Sequence, residues 1–493
     1  MEVSIEVIIR ELKKHGVTDK TKIDEVYEAY DIAEKIHRNQ PPRETGEPYI
    51  SHPLNVALNV LRMGVYDPDT ISAALLHDTV EDASFEFTID DIAEMINPTV
   101  AELVDGVTKM KAMDFSSKSD QILANTKKIV NGFTKDIRII IIKLADRLHN
   151  MNTMEKKKPT KQKENAEETL KIFALLALAI GAYRVKNELE ELSLKYIDRE
   201  EYDRIKKRRE ELFLEEAPGL NEMAKRIKEE LKNKGIDCTT ILRTQSLYTI
   251  YKKEKNGYDM ENQYDLNYLK IVVDTIDDCY RALGVVHKFY KPINGRLKDY
   301  IGNTKTNNYQ SIHTTVADKN GKFIKVKIRT QEMDKIDAYG VAAYWNIENY
   351  DNIADIEYGK TIEETNEIIR EKSQFAKKLM EINEVSHNDN EFISLIMSLL
   401  LTDHVYVYTD SGHCVELPAG STATNFIYEV YPDKLDTITS IVVNGKEVDF
   451  NEPLKNNDRI QIKINGKIAH EVWDTNEKPK ILIKKINETN NAE

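Results

Sequence analysis

The stretch AALLHDTVED, residues 73–82, places His77, Asp78, Glu81 and Asp82 at the end of a run of Ala and Leu. Read as helix, this spacing stacks His77 beneath Glu81 and Asp78 beneath Asp82, one turn apart. Apolar residues at three- and four-residue spacing also run through LNVALNVL (54–61), ISAALLHDTV (71–80) and DIRIIIIKLADRLHN (136–150). That period predicts an all-α domain from the start of the chain to about residue 196. A hard divalent ion that also accepts imidazole needs mixed nitrogen and oxygen ligands, and His77 and Asp78 alone cannot complete its shell. Two candidates supply the remainder. His52 lies at a helix start in PYISHPLNVA (48–57), and Asp146 lies in KLADRLHNM (143–151), where an unpaired charge on an apolar helix is costly. Taken singly, each residue reads as a helix cap or an ion pair, Asp146 with Arg147. Taken together, four ligating side chains and two spare carboxylates among Leu, Ile and Ala favour a metal site.

Outward from that domain the pattern changes. The charged run EYDRIKKRREELFLEEAPGLNEMAKRIKEELKNKG suggests solvated helices joining two domains, with a stop at Gly235. Segments YLKIVV (268–273), NYQSIHTTVAD (308–318) and FIKVKIRT (323–330) then alternate with helical stretches, the last two strands meeting at the turn KNGK. A helical, charged stretch precedes HVYVYTDSGHCVELPAG (404–420), which opens a small β-rich module. The divisions read from these shifts are 1–196, a linker 197–235, 236–347, a helical linker 348–402, 403–464 and a frayed tail 465–493.

Composition sets bounds on function. A chain of 493 residues with 41% apolar and 31% charged side chains has the make-up of several folded soluble domains. Its net charge of −14 argues against general polyanion binding and leaves room for local basic pockets. Cys238, Cys279 and Cys414 form no CxxC spacing, which fits a reducing cytoplasm. The N-terminus reads as an amphipathic helix without a signal-peptide pattern, and the most apolar run, 172–183, is too short to span a bilayer.

The motifs GEPYISHPLNVA, AALLHDTVED, LVDGVTK, DIRIIIIKLADRLHNM and AEETLKIFALLA, followed by KNELEEL, make residues 25–196 resemble the HD-type hydrolase domain of the RelA/SpoT homologue family. The resemblance implies a Mn²⁺ ion held by His52, His77, Asp78 and Asp146, with Glu81 and Asp82 positioning and deprotonating the attacking water. It implies Arg43, Asn150 and Thr153 as substrate contacts, and hydrolysis of ppGpp and pppGpp to pyrophosphate and GDP or GTP. Glu44, Ala124 and Asn152 depart from the family pattern without touching the implied ligands.

Residues 236–347 resemble the same family's synthetase domain through DCYRALGVVHKFYKPINGRLKDYI, NNYQSIHTTV, IRTQEM and YGVAAYW. Pyrophosphoryl transfer from ATP needs Mg²⁺, and the resemblance implies two acids to hold it. Asp265 matches the first. Lys325 stands where the second, a glutamate, belongs, and in a strand it shares a face with Lys327 and Arg329. Gln245, Ser246, Lys270, Asp334, Ala338 and Tyr344 are further departures, so Mg²⁺ binding and synthesis are expected to be lost. Arg243, Asp265, Lys305, Asn307 and Tyr309 remain as nucleotide-binding residues, with Tyr309 either stacking on guanine or packing in the sheet.

Residues 403–464 resemble the family's TGS domain, a β-grasp module. Tyr431 replaces a usual histidine and the chain stops before further regulatory domains, which argues against coupling to ribosome or tRNA. The expected architecture is therefore multidomain α and α+β: an all-α HD-type domain, a mixed α/β nucleotidyltransferase-like domain and a β-grasp domain. Guanine nucleotides are the expected partners, no membrane contact is expected, and self-association is left open. The leading function is alarmone hydrolysis, against a bifunctional synthetase/hydrolase and a non-catalytic guanine-nucleotide regulator.

Overall fold

Short polar caps start four helices of the first domain. Asp19 accepts from the backbone of Thr21 and Lys22 to open α2 (Lys20–His37), and Asp67 caps α4 (Pro68–Leu76), which has Pro in its first turn. Such a cap contributes about 1 kcal/mol, and Pro there gives up a donor that would be unpaired anyway. The computed structural model describes residues 3–43, 46–82, 87–108, 136–260, 265–302, 309–318, 321–340, 342, 404–410, 414–418, 420–431, 437–455, 458–464 and 467–468. The chain divides into two units, Met1–Lys377 and Lys378–Glu493. No helix among the described residues is long and apolar enough to cross a membrane.

In the first unit, α1 (Ile5–Lys14), α2, α3 (Ser51–Arg62), α4, α5 (Thr79–Asp82), α6 (Ile89–Met95) and α7 (Pro98–Val107) precede α8 (Arg138–Asn152), against which α3, α4 and α7 pack. Ile139 to Ile142, Leu144, Ala145, Leu148 and Met151 of α8 are all buried. A helix apolar on most of its circumference belongs at the centre of a domain. Arg138 at its start is only 1% exposed, and its charge is met by Asp67 at 2.9 Å and Asp136 at 2.7 Å. Gly106 of α7 lies against the Ile139 side chain so closely that a Cβ would collide with it. The helical domain continues through α9 (Pro159–Glu168), a π-turn at Thr169–Phe173, α10 (Ala174–Ala179) and α11 (Tyr183–Ile197).

The charged run forms one helix, α12 (Arg199–Asn233), with Pro218 inside it. An interior proline costs about 3 kcal/mol. Beyond it, Leu220, Met223, Ala224, Ile227 and Leu231 are buried in the core of the next domain. At roughly 1.5–3 kcal/mol per fully buried large apolar side chain, that stripe outweighs the proline. The segment is therefore solvated on one face and part of a core on the other, because its Leu and Ile spacing lines up a single stripe.

That core underlies a mixed sheet of β1 (Thr239–Thr244), β2 (Asn267–Val273), β3 (Lys291–Pro292), β4 (Lys298–Asp299), β5 (Ile312–Ala317) and β6 (Phe323–Thr330). The strand order is β1-β2-β6-β5-β3, with β4 on β5; β2 and β6 run parallel and the other pairs antiparallel. Leu269, Ile271, Ile312, Ile324, Val326 and Ile328 face the core. The alternate residues therefore share the other face, and the register sets Tyr268 beside Lys325 and both Lys270 and His313 beside Lys327. Helices α13 (Leu247–Lys255), α14 (Ile276–Phe289) and α15 (Gln331–Tyr339) complete the domain.

The end of α15 packs against the helical domain. The Arg184 guanidinium donates to the Tyr339 hydroxyl at 3.4 Å, and Gly340, at φ 61°, abuts the Ile180 carbonyl where a Cβ would overlap it. The second unit is a β-grasp sheet in the order β10-β9-β11-β7-β8, from β7 (His404–Thr409), β8 (Cys414–Pro418), β9 (Ile438–Val443), β10 (Lys446–Val448) and β11 (Arg459–Ile464). Its helix α16 (Ala423–Val430) contributes Phe426 and Ile427 to a core that also buries Tyr431.

Candidate active site

The sequence pattern predicts continuous helix through HDTVED, and the structure breaks it. Helix α4 ends at Leu76, His77 and Asp78 form a turn, and the single helical turn α5 follows. The break is small: His77 stays in the αR region, and the Asp82 N–H still donates to the Asp78 carbonyl at 3.0 Å. The His77 Nδ1–H faces the Ala74 carbonyl at 2.8 Å, which turns Nε2 towards α3 and α8. A ring nitrogen committed to a backbone carbonyl leaves the other as a lone-pair donor.

Three elements meet there. His52 Nε2 of α3 lies 3.2 Å from His77 Nε2, 3.3 Å from Asp78 Oδ2 and 3.4 Å from Asp146 Oδ1 of α8. His77 Nε2 lies 3.2 Å from Asp78 Oδ1 and 3.8 Å from Asp146 Oδ1. The ligating atoms of His52, His77 and Asp146 fall within 4.8 Å of one another, all three residues being buried. Ligands bonded at about 2.1 Å to one ion lie about 3.0–3.4 Å apart in octahedral or tetrahedral shells. The donor set and its spacing thus fit a divalent cation of the kind that accepts both imidazole and carboxylate. Burial works against charge on Asp78 and Asp146, yet the neighbouring histidines, with Lys143 beside Asp146, hold both carboxyls well below the usual carboxylate range.

Around this cluster lies a layer of groups that fix its geometry. The Tyr49 hydroxyl donates to Asp78 Oδ2 at 3.1 Å, and burial followed by the Asp78 charge pushes its own titration upwards. Asn150 Nδ2 donates to Asp146 Oδ1 at 2.5 Å while its Oδ1 accepts from Arg43 at 3.1 Å. Thr153 ends α8, its hydroxyl on the His149 carbonyl at 3.1 Å. Arg147 is turned away from Asp146 and pairs with Glu168 at 3.0 Å. Glu81 is half-buried, and the Asp82 carboxylate lies 3.5 Å from His37 Nδ1, whose ring stacks on Tyr49.

His149 is the residue that sequence reasoning missed. Its Nδ1 lies 2.7 Å from His52 Nδ1, and burial with the charges of His52 and Arg43 lowers its pKa to about 3. A neutral His149 accepts the His52 Nδ1–H and frees His52 Nε2 to face the cluster. The signal was its place three residues after Asp146, on the same helical face.

The sheet domain arranges its charges differently. Asp265 is held by Lys253 at 2.8 Å and by Lys325 at 3.5 Å. Gln245 donates to the Asp265 carbonyl at 2.8 Å, Ser246 caps α13, and Lys270 pairs with Asp334 at 2.6 Å. Tyr309 is 7% exposed, its hydroxyl 2.6 Å from His313 Nε2 and 3.1 Å from Arg329, with Tyr183 and Tyr300 edge-on to its ring. Arg243 is exposed on β1. Lys305 and Asn307 lie outside the described residues, as do Glu44, Ala124, Tyr344, the KNGK turn's first two residues, the 348–402 stretch and the 469–493 tail.

Geometry and sequence comparison agree on the class. The HD domain family matches residues 29–183, the region found in RelA/SpoT proteins matches 242–352, and the TGS domain matches 405–464. The chain is thus a multidomain protein that joins an HD-type helical domain to a RelA/SpoT-type mixed-sheet domain and a TGS β-grasp domain. It belongs to the RelA/SpoT homologue family. It is 34% identical over 471 residues to the guanosine-3′,5′-bis(diphosphate) 3′-pyrophosphohydrolase of Aquifex aeolicus, covering 94% of this chain and 64% of that one. It is 36% identical over 446 residues to the bifunctional (p)ppGpp synthase/hydrolase SpoT of Escherichia coli, covering 90% and 61%. The GTP pyrophosphokinase of Myxococcus xanthus is 35% identical over 444 residues, covering 89% and 56%. The chain therefore spans less than two thirds of the length of these relatives.

Proposed function

We propose that this chain hydrolyses the 3′-diphosphate of ppGpp and pppGpp, acting in the cytoplasm to lower alarmone levels in the stringent response. The observation that carries the reading is the convergence of His52, His77 and Asp146, with Asp78, on one buried point. A divalent ion, Mn²⁺ in this reading, would be held by these residues and would acidify a bound water and offset diphosphate charge. Glu81 and Asp82, three and four residues after Asp78, are in this reading the carboxylates that take the proton of the attacking water. Arg43 and Asn150 meet the phosphates and orient the Asp146 oxygen, and Thr153 lies beside the nucleoside. The bond between the 3′-oxygen and its phosphorus breaks, water oxygen ends on pyrophosphate, and a proton passes to the departing 3′-hydroxyl.

The names of the relatives cover hydrolysis, both activities and synthesis, so a choice is needed for the sheet domain. Asp265 already carries Lys253 and Lys325. Two ammonium groups on one carboxylate disfavour Mg²⁺, each unit charge pair at 4 Å being worth about 4 kcal/mol at an effective dielectric of 20. We therefore read this domain as inactive in synthesis. The test is incubation of the purified chain with Mn²⁺ and ppGpp, and separately with Mg²⁺, ATP and GDP, with the nucleotides resolved. Loss of ppGpp, stopped by EDTA, supports hydrolysis. New ppGpp from ATP and GDP would mean that the bifunctional reading is the right one.

A further inference from the structure

One buried polar ring beside the helical cluster has no part in the chemistry described so far. His37 ends α2 with its side chain fully enclosed, in a helix whose other buried positions are Ile23, Val26, Ala29, Ile32 and Ala33. A leucine or phenylalanine would fill such a position without polar atoms, whereas a buried imidazole is tolerated only through the partners of its nitrogens. The Nε2 atom is buried and has no partner among the described residues. All of the pairing is on Nδ1, which lies 3.2 Å from Gln40 Oε1 and 3.5 Å from Asp82 Oδ2. Both neighbours are acceptors, so Nδ1 carries the hydrogen and shares it between them. Burial lowers the His37 pKa below its ordinary value, against the pull of the Asp82 charge, and the ring meets the carboxylate as a neutral donor.

Asp82 needs such a donor. It is the last residue of the single turn α5, and its side chain is 29% exposed. Among the described residues, no other side chain lies within hydrogen-bond or ion-pair reach of its carboxylate. One helical turn with a frayed end does little to fix a side chain at its last position. The His37 ring is itself fixed, because it stacks on Tyr49 at 4.6 Å between ring centroids and the Tyr49 hydroxyl donates to Asp78 Oδ2 at 3.1 Å. Asp82 is thus tied through His37 and Tyr49 to Asp78, a path of side chains that runs alongside the backbone of α5.

We infer that His37 is the positioning residue for Asp82, its Nδ1–H holding the carboxylate by Oδ2 so that Oδ1 faces the attacking water and takes its proton. The assignment rests on the hydrolytic reading given above and goes further, because it separates two supporting histidines by what they support. His149 orients the ring of His52 and so acts on ion binding; His37 orients a proton acceptor and so acts on turnover alone. A general base contributes about 10²–10⁴-fold only when it is within hydrogen-bond reach of the proton it abstracts. The residue that aims it carries a part of that factor.

Initial rates of ppGpp hydrolysis by the full chain, over a range of ppGpp and of Mn²⁺ concentrations, test this. His37→Phe keeps a ring to stack on Tyr49 and removes the donor, and His37→Leu removes both. Each is expected to lower kcat by about tenfold or more while KM and the Mn²⁺ requirement stay within about twofold. His37→Asn places an N–H where Nδ1 stood and is expected to recover at least half of the loss on a logarithmic scale. In an Asp82→Ala background, His37→Phe is expected to lower kcat by less than about twofold more, because two residues that act as a unit are not additive. Thermal unfolding establishes which variants are folded, and either apolar replacement suffices. A wild-type chain that leaves ppGpp intact would overturn the hydrolytic reading and this assignment with it. A wild-type chain that hydrolyses ppGpp would overturn this assignment alone if the apolar variants kept their kcat, if their loss lay in KM or Mn²⁺ affinity, or if it multiplied with that of Asp82→Ala.

Discussion

The helical cluster and the sheet face treat their acids in opposite ways. Around α8, two carboxylates and two imidazoles point at one another, and Lys143 approaches Asp146 on Oδ2, the oxygen other than the one facing His52. On the sheet, the carboxylate of Asp265 is already closed by two lysines. The difference teaches what makes acids into a metal site. Facing donors whose inward-pointing oxygens carry no internal cation create a demand for positive charge, whereas an acid closed by lysines on both oxygens creates none. One chain thus carries both arrangements in the same structural unit, and the same substitution in the two places should have unequal results.

The largest effect is expected from removing one acid on each side. Asp146→Ala should reduce ppGpp hydrolysis by more than about 100-fold, exceeding the range for groups that only support ligands. Asp265→Ala should leave hydrolysis within about twofold. Nucleotide-resolved turnover with Mn²⁺ checks both, and an equal loss in the two variants would break the comparison. Replacing His149 asks whether the helical cluster depends on its supporting layer. His149→Phe removes the acceptor for His52 Nδ1–H and should cost about 10–100-fold in both Mn²⁺ affinity and turnover, with KM little changed. His149→Asn, which can still accept, should recover part of the loss. A purely structural role for His149 would instead lower stability while leaving metal affinity unchanged.

How much of this was legible follows from the kind of signal each part gives. The candidate residues of the helical cluster stood out because polar residues interrupt strongly apolar periodic runs, and such interruptions have few structural explanations. His149 gave no such interruption, since one more histidine near a helix end is ordinary and its role exists only through the ring of His52. The stripe on α12 was hidden by the charge around it; Leu220, Met223, Ala224, Ile227 and Leu231 keep helical spacing beyond Pro218, but the sheet they pack against is formed by residues that come later in the chain. Lys325 was readable as a departure, but its grip on Asp265 together with Lys253 required the parallel register of β2 and β6. The turn at His77 and Asp78 was not legible, because nothing in their residue types forbids helix there.

The smallest expected effect concerns Tyr309, where packing and base stacking predict different things. Its ring is enclosed by Tyr183 and Tyr300, with the Arg329 guanidinium 5.4 Å from the ring centroid, so a base could stack there only after these groups moved. Tyr309→Phe removes the hydroxyl that accepts from Arg329 and meets His313, leaving a buried guanidinium with fewer partners. The expected loss is about 1–2 kcal/mol in urea unfolding, the range for a buried hydrogen bond to a charged group. GTP affinity relative to tripolyphosphate should change less than threefold in Tyr309→Leu. If that ratio collapses while stability holds, Tyr309 is a platform for the base.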